Sequence, residues 1–276
     1  MVMRVLILTG GTVEENFAKD YISKWNPDQV ITADKGLLYA KRLNIKPDII
    51  LGDFDSSNKD IMQEISTDKK SSVPCEKDDT DTGLAIQKAI ETGADEILMI
   101  GGTGTRLDHV MGTFGQLFYA HSKGVKAELV DANNRIRVLN HEDTISKKDQ
   151  FGKYVSLIPI YEARGVTLTG FKYPLKDHTL VFEQSLAISN ELEAEEGIIN
   201  AYYYKSVDSV DGDFIYKINV HTKEDEAYLS QIMRKPLTIY GMTISMKSET
   251  GAFSVSEDSS LSAVSSAEMQ TLLMTI

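Results

Sequence analysis

Asp53 and Asp55 stand two residues apart in the segment PDIILGDFDSS, residues 47–57. The apolar run ahead of them predicts a buried strand over 48–51, which Gly52 lets the chain leave. In extended backbone residues i and i+2 point the same way, so both carboxylates would project together beyond the strand's C-terminal end. Open α/β sheets bind their ligands there. Two carboxylates held side by side repel unless a cation or a shared proton lies between them, and magnesium supplies such a cation. The plain alternative is a polar turn, where Asp-x-Asp is common. Acids recur at other element ends: Asp34 in ITADKG, residues 31–36, and Asp78, Asp79 and Asp81 in KDDTDTG, residues 77–83. For Asp79 and Asp81 helix capping competes with metal binding, because an acid at a helix N-terminus gains roughly 0.3–1 kcal/mol from the helix dipole.

The segment GGTGTRLDH, residues 101–109, follows an apolar run and precedes a helical pattern. Gly101 and Gly102 allow close backbone approach, and the coming helix offers free amides, which together suit a phosphate. The segment lacks the Gly-Lys-Ser/Thr ending of a Walker loop and the spacing of a dinucleotide fingerprint. Arg106 supplies a fixed charge able to grip phosphate oxygens at two points, and Asp108 is placed to accept a hydrogen bond or join a metal shell. His109 reads more simply as a polar residue in a helix's first turn than as a base.

Behind these residues, short apolar runs alternate with helix-like segments through about residue 140, the rhythm of a parallel sheet covered by helices. Strands are predicted over 2–8, 29–33, 48–51, 96–100, 126–130 and 135–139, and helices over 12–25, 59–65, 82–92 and 108–122. After about residue 141 the helical period gives way to β-type runs at 154–160, 166–168, 179–182 and 197–204, as in an antiparallel sheet or sandwich. Residues 205–276 change texture again: strands near 214–220 and 237–246, a helix over 224–233, a Ser-rich stretch, and a short helix over 267–276. The expected organisation is a Rossmann-like α/β domain over 1–140, an antiparallel β-sandwich domain over 141–204, and a C-terminal α+β appendage over 205–276.

Composition narrows the partners. The 276 residues are 42% hydrophobic, enough for two cores, and 29 Lys and Arg against 41 Asp and Glu leave a formal charge of −12. That balance disfavours nucleic acid and anionic membrane surfaces, while leaving room for a small nucleotide whose phosphates a metal neutralises. No apolar run reaches the length of a membrane span, and the N-terminal stretch is too short for a signal peptide. The single cysteine, Cys75, makes no intramolecular disulfide and builds no zinc site, which fits a reducing cytoplasm.

Read in order, ADKG, KPDIILGDFDS, EKDDTDTGLAI, GGTGTRLDH and SLAISN resemble the thiamine pyrophosphokinase family over roughly residues 4–204. The resemblance implies an α/β nucleotide-binding domain followed by a β-sandwich, with ATP as co-substrate, thiamine as acceptor and magnesium as cofactor. It implies catalytic roles for Asp34, Asp53, Asp55 and Asp81, with magnesium held by Asp53, Asp55 and Asp81. Thr80, Gly101, Gly102, Arg106 and Asp108 would line the nucleotide cleft. Ser189 and Asn190 would fall in the stretch that contributes to a thiamine pocket formed where two subunits of a homodimer meet. One departure concerns the aromatic residue that some members carry near the C-terminus: the lone tryptophan here is Trp25, leaving Tyr202, Tyr203 and Tyr204 as possible substitutes. Two rivals are an aspartyl-nucleophile phosphatase, suggested by DFDSS, and a non-catalytic nucleotide or thiamine sensor with 205–276 as its output.

Overall fold

The computed structural model describes residues 2–52, 80–104, 106–139, 142–160 and 162–202, together with strand segments 208–210, 213–219, 243–247, 253–256 and 273–275. The first unit alternates strand and helix: β1 (Arg4–Leu8), α1 (Glu15–Trp25), β2 (Gln29–Ala33), α2 (Gly36–Leu43), β3 (Ile49–Leu51), α3 (Asp81–Glu91), β4 (Glu96–Ile100), α4 (Leu107–Ser122), β5 (Lys126–Val130) and β6 (Arg135–Val138). Strands β3, β2, β1, β4 and β5 lie side by side in parallel, and β6 returns antiparallel to β5.

Alternation along the strands explains why both faces are covered. Val5 and Ile7 face one way with Ile97 and Met99, and pack on Ala85, Ile86, Leu117 and Ala120 of α3 and α4. Leu6 and Leu8 face the other way with Leu98 and Ile100, and pack on Ala18, Ile22, Ala40 and Leu43 of α1 and α2. Fully burying one such side chain is worth about 1.5–3 kcal/mol, so a one-residue slip in β1 would sacrifice two cores at once. The helix ends are set locally. The Glu14 side chain accepts hydrogen bonds from the amides of Asn16 and Phe17 at the start of α1, and Asn26 and Asn44 close α1 and α2 in the left-handed region.

The second unit is an antiparallel sheet, β10 (Leu175–Val181), β9 (Glu162–Thr169), β11 (Glu196–Tyr202) and β7 (Glu142–Ser146) in spatial order. Its core holds Ile145, Val166, Leu168, Phe171 and Ile199, and takes in Leu157 from β8 (Leu157–Pro159), a strand at the far edge of the first sheet. A third sheet follows the order β12 (Asp208–Val210), β13 (Asp213–Asn219), β14 (Thr243–Lys247) and β15 (Phe253–Ser256).

Several sequence expectations change. Helix α2 and strand β7 have no counterpart among the elements expected from sequence. The helix expected over 267–276 gives way to strand β16 (Leu273–Thr275), which pairs antiparallel with β6 on one side and β8 on the other. Two flanking strands with free ladder positions offer this short segment more backbone hydrogen bonds than an isolated turn of helix would. The helices expected over 59–65 and 224–233 lie outside the described residues. Among the described residues, no helix is long and apolar enough to cross a membrane.

Candidate active site

The strand order reverses direction at β1: β2 and β3 lie to one side, β4 and β5 to the other. Connections leave the carboxyl ends of β1 and β4 in opposite directions, and a crevice opens between them. A cleft of about 310 Å³ lies at these ends, lined by Thr9, Gly10 and Gly11 after β1, Ala33, Asp34 and Lys35 after β2, and Gly101, Gly102, Thr103 and Gly104 after β4, with Thr80, Asp81 and Thr82 from the start of α3 and Arg106, His109, Val110 and Thr113 around the first turns of α4.

Two turns of like sequence, Gly10-Gly11-Thr12 and Gly101-Gly102-Thr103, form its floor and are bonded to each other. The Gly11 amide donates to the Gly101 carbonyl at 2.7 Å and the Thr12 amide to the Thr103 carbonyl at 2.7 Å. The Thr9 hydroxyl adds a bond to the Gly101 carbonyl at 2.5 Å. A side chain at Gly11 would overlap the carbonyl oxygens of both Thr103 and Gly101, so glycine is required by contact rather than by dihedral angle.

Asp34 sits just past β2 with φ of 50°, and its amide donates to the Leu51 carbonyl at 3.1 Å. That bond sets the end of β3, and with it Gly52, beside Asp34. Thr80 caps α3, its hydroxyl accepting from the Gly83 amide at 3.1 Å, and Asp81 occupies the first turn. Capping and cleft lining are thus not alternatives for these two residues, because the capped end of α3 itself borders the cleft. Arg106 donates to Asp108 from Nη2 at 2.6 Å and from Nε at 3.3 Å. These bonds hold the exposed Asp108 carboxyl below its usual range. Asp108 does not line the cleft; it orients Arg106, which does.

Asp53 and Asp55 lie outside the described residues, as do Asp78 and Asp79. Ser189 and Asn190 belong to the second unit and do not line this cleft. Asn190 is buried and spent on backbone: its Oδ1 accepts from the amides of Tyr173 at 3.0 Å and Glu191 at 2.9 Å, while its Nδ2 donates to the Tyr173 carbonyl at 2.8 Å. Ser189 is exposed beside it, with φ of 59°. Lining residues that the sequence does not single out include Thr9, Gly10, Gly11, Lys35 and Thr103. The repeated Gly-Gly-Thr after two buried strands was the available signal. His109, read from sequence as a helix-start residue, also faces the cleft.

The donor set is one that could bind a polyphosphate. Carboxylates at Asp34 and Asp81 offer the hard oxygen donors that magnesium takes, and Lys35 and Arg106 offer cations to phosphate oxygens. Among the described residues, no three His, Cys, Asp or Glu side chains gather closely enough to hold a metal by themselves.

Residues 22–129 match the model of the thiamin pyrophosphokinase catalytic domain, and residues 141–201 that of the thiamin pyrophosphokinase vitamin B1 binding domain. The chain is 35% identical over 170 residues to the thiamine pyrophosphokinase of Bacillus subtilis strain 168, which covers 60% of this chain and 79% of that protein. The crystal structure of thiamine pyrophosphokinase from Bacillus subtilis superposes with a TM-score of 0.64 at 30% identity, covering 72% of this chain and 94% of the other. That of thiamin pyrophosphokinase from Geobacillus thermodenitrificans gives 0.60 at 29% identity, over 72% and 93%.

Proposed function

The chain belongs to the thiamin pyrophosphokinase family, and on that premise we propose that it transfers the terminal pyrophosphoryl group of ATP to the hydroxyl of thiamine, releasing AMP. The observation that carries the reading is the meeting of Asp34, Asp81, Arg106 and two paired Gly-Gly-Thr turns at one switch-point cleft. The thiamine hydroxyl oxygen attacks the β-phosphorus as the bond from that phosphorus to the α-phosphate oxygen breaks, and the hydroxyl proton passes to a cleft carboxylate. Such a transfer asks mainly for in-line positioning and neutralisation of spreading negative charge. Arg106, oriented by Asp108, grips phosphate oxygens. The glycine turns let the polyphosphate lie close to the backbone.

Magnesium fits the carboxylates present, with Asp34 and Asp81 on the described walls and Asp53 and Asp55 following directly after Gly52. When bound it would neutralise the triphosphate and draw charge from the leaving phosphate. Asp53, Asp55 and Asp81 would be its ligands, with Asp34 organising the same cluster.

A homodimer belongs to the same reading, with thiamine held between the cleft of one copy and the Ser189–Asn190 corner of the other. Its support is the apolar surface each copy leaves open: Leu107 and Met111 on α4 beside the cleft, and Phe182, Leu186 and Ile188 in the second unit. In that corner Ser189 presents its side chain and Asn190 fixes the backbone that carries it. A cytoplasmic location, expected from the single Cys75, suits an ATP-consuming reaction.

The test is the nucleotide product. Protein incubated with thiamine, ATP and magnesium should yield AMP and thiamine pyrophosphate in equal amounts. ADP or free phosphate would instead mark a different transfer, a trapped acyl-phosphate on Asp53 the phosphatase, and nucleotide binding without turnover the sensor.

A further inference from the structure

The paired glycine turns create a mechanical problem. Glycine is required at Gly11 because neighbouring carbonyls leave no room for a side chain, and a Cβ at Gly10 would lie 2.8 Å from an Asp34 carboxylate oxygen. Two successive glycines are also the least restrained backbone a chain can have. The hydrogen bonds from Thr9, Gly11 and Thr12 described above tie this turn to the β4 side of the cleft. A further bond runs the opposite way: the Tyr39 hydroxyl, on α2, donates to the Gly11 carbonyl at 2.9 Å.

Tyr39 is itself held. The Arg42 guanidinium lies 5.9 Å from its ring centroid and pairs with Glu15 of α1 at 3.2 Å. Helix α2 starts two residues after Asp34, and its first residue, Gly36, packs so tightly under β1 that a Cβ would overlap the Leu8 carbonyl. The Tyr39 hydroxyl therefore couples the wall containing Gly10 and Gly11 to the helix whose start fixes Asp34.

We propose that Tyr39 is a positioning residue for the nucleotide: without touching it, its hydroxyl holds the Gly10–Gly11 wall in register with Asp34, so that the polyphosphate meets a preformed surface. This rests on the cleft being the ATP site, as read above. Removing one neutral hydrogen bond of this kind should weaken ATP binding roughly three- to tenfold, with the cost falling on affinity rather than on the chemical step.

The substitution is Tyr39→Phe, which keeps the ring and its contact with Arg42. Equilibrium binding of ATP with magnesium, measured by calorimetry without thiamine, should show the weakening, and steady-state kinetics should show the same rise in KM for ATP with kcat and KM for thiamine nearly unchanged. Unaltered ATP affinity would overturn the inference, as would a fall in kcat with no change in KM. A loss of ATP affinity matched by an equal loss of thermal stability would also count against it, because Tyr39 would then serve the fold as a whole and not the nucleotide wall. The parent protein separates this from the broader reading: if it binds ATP but forms no AMP, the reaction is wrong and the Tyr39 comparison still stands. If the parent binds no ATP, both fall.

Discussion

Asp34 keeps a backbone conformation that an L-residue adopts at a cost of about 1–3 kcal/mol, and it does so at the mouth of the cleft. Aspartate tolerates this region better than most residues, yet glycine would adopt it without strain. Asp34→Gly is therefore expected to leave stability unchanged or raise it by up to about 1 kcal/mol in urea denaturation. AMP formation should fall at the same time by roughly 100-fold or more, since a charge-stabilising group is lost. A variant that is both less stable and nearly fully active would show that the conformation serves the fold and not the reaction. At this scale the sequence was informative where chemistry is local. Asp34, Asp81, Gly101, Gly102 and Arg106 stand out at strand ends and helix starts, the family resemblance adds Thr80, and all six line one cleft. Gly10 and Gly11 read only as the turn after β1, because what makes them a wall is their bonding to a turn ninety residues away, which no local pattern encodes. For Asn190 the family resemblance implies a place in a substrate pocket, and the burial that commits its amide to Tyr173 and Glu191 is a tertiary feature its neighbours in sequence do not encode.

Strands announced themselves better than short helices. β2, β4 and β5 fall at the expected residues: β2 and β4 are buried on both faces after their first residue, and β5 buries Ala127, Leu129 and Val130 while Lys126 stays exposed. Helix α2 was missed because it opens on Gly36, a poor helix former, and spans eight residues. The glycine is there to let the helix start against the Leu8 carbonyl, a tertiary demand that overrides propensity. Helix α4 carries a different anomaly. Its inward residues Thr113, Leu117 and Ala120 are buried, but Leu107 and Met111, one turn apart, are 74% and 57% exposed, and nothing among the described residues approaches the Cβ positions of Gly112 and Gly115. A helix that gives up about 1 kcal/mol for each interior glycine and leaves two large apolar side chains in water is well suited to close approach by a second copy. Met111→Arg should then convert a dimer to a monomer in sedimentation equilibrium, with the monomer's thermal stability little altered because the side chain is already exposed. Thiamine turnover should fall with the loss of the dimer. An undisturbed dimer would place the interface elsewhere.

Residues 205–276 read as an appendage, but their last described strand lies inside the first unit's sheet. β6 and β8 do not pair with each other; β16 stands between them, Met274 opposite both Val138 and Ile158. Because Leu157 of β8 belongs to the second unit's core, this strand also ties the two units together. Without it, β6 and β8 would each present an unpaired edge, and exposed edges recruit other chains. The sheet of β12 to β15 is different: its strands pair only with one another, and it lies in the chain between β11 and β16, beyond the last residue matched by either family domain. In chain order it stands ahead of a strand of the first sheet. Two shortened proteins separate these roles. Ending the chain after residue 204 removes β16 with this sheet, and should give protein that aggregates and makes no AMP. Excising residues 208–256 removes this sheet but keeps β16 attached through residues 203–207 and 257–272, and should give a folded enzyme whose turnover is close to the parent's. If the first protein is active, β16 is dispensable; if the second folds but is inactive, the sheet of β12 to β15 has a part in the reaction that its place in the chain does not disclose.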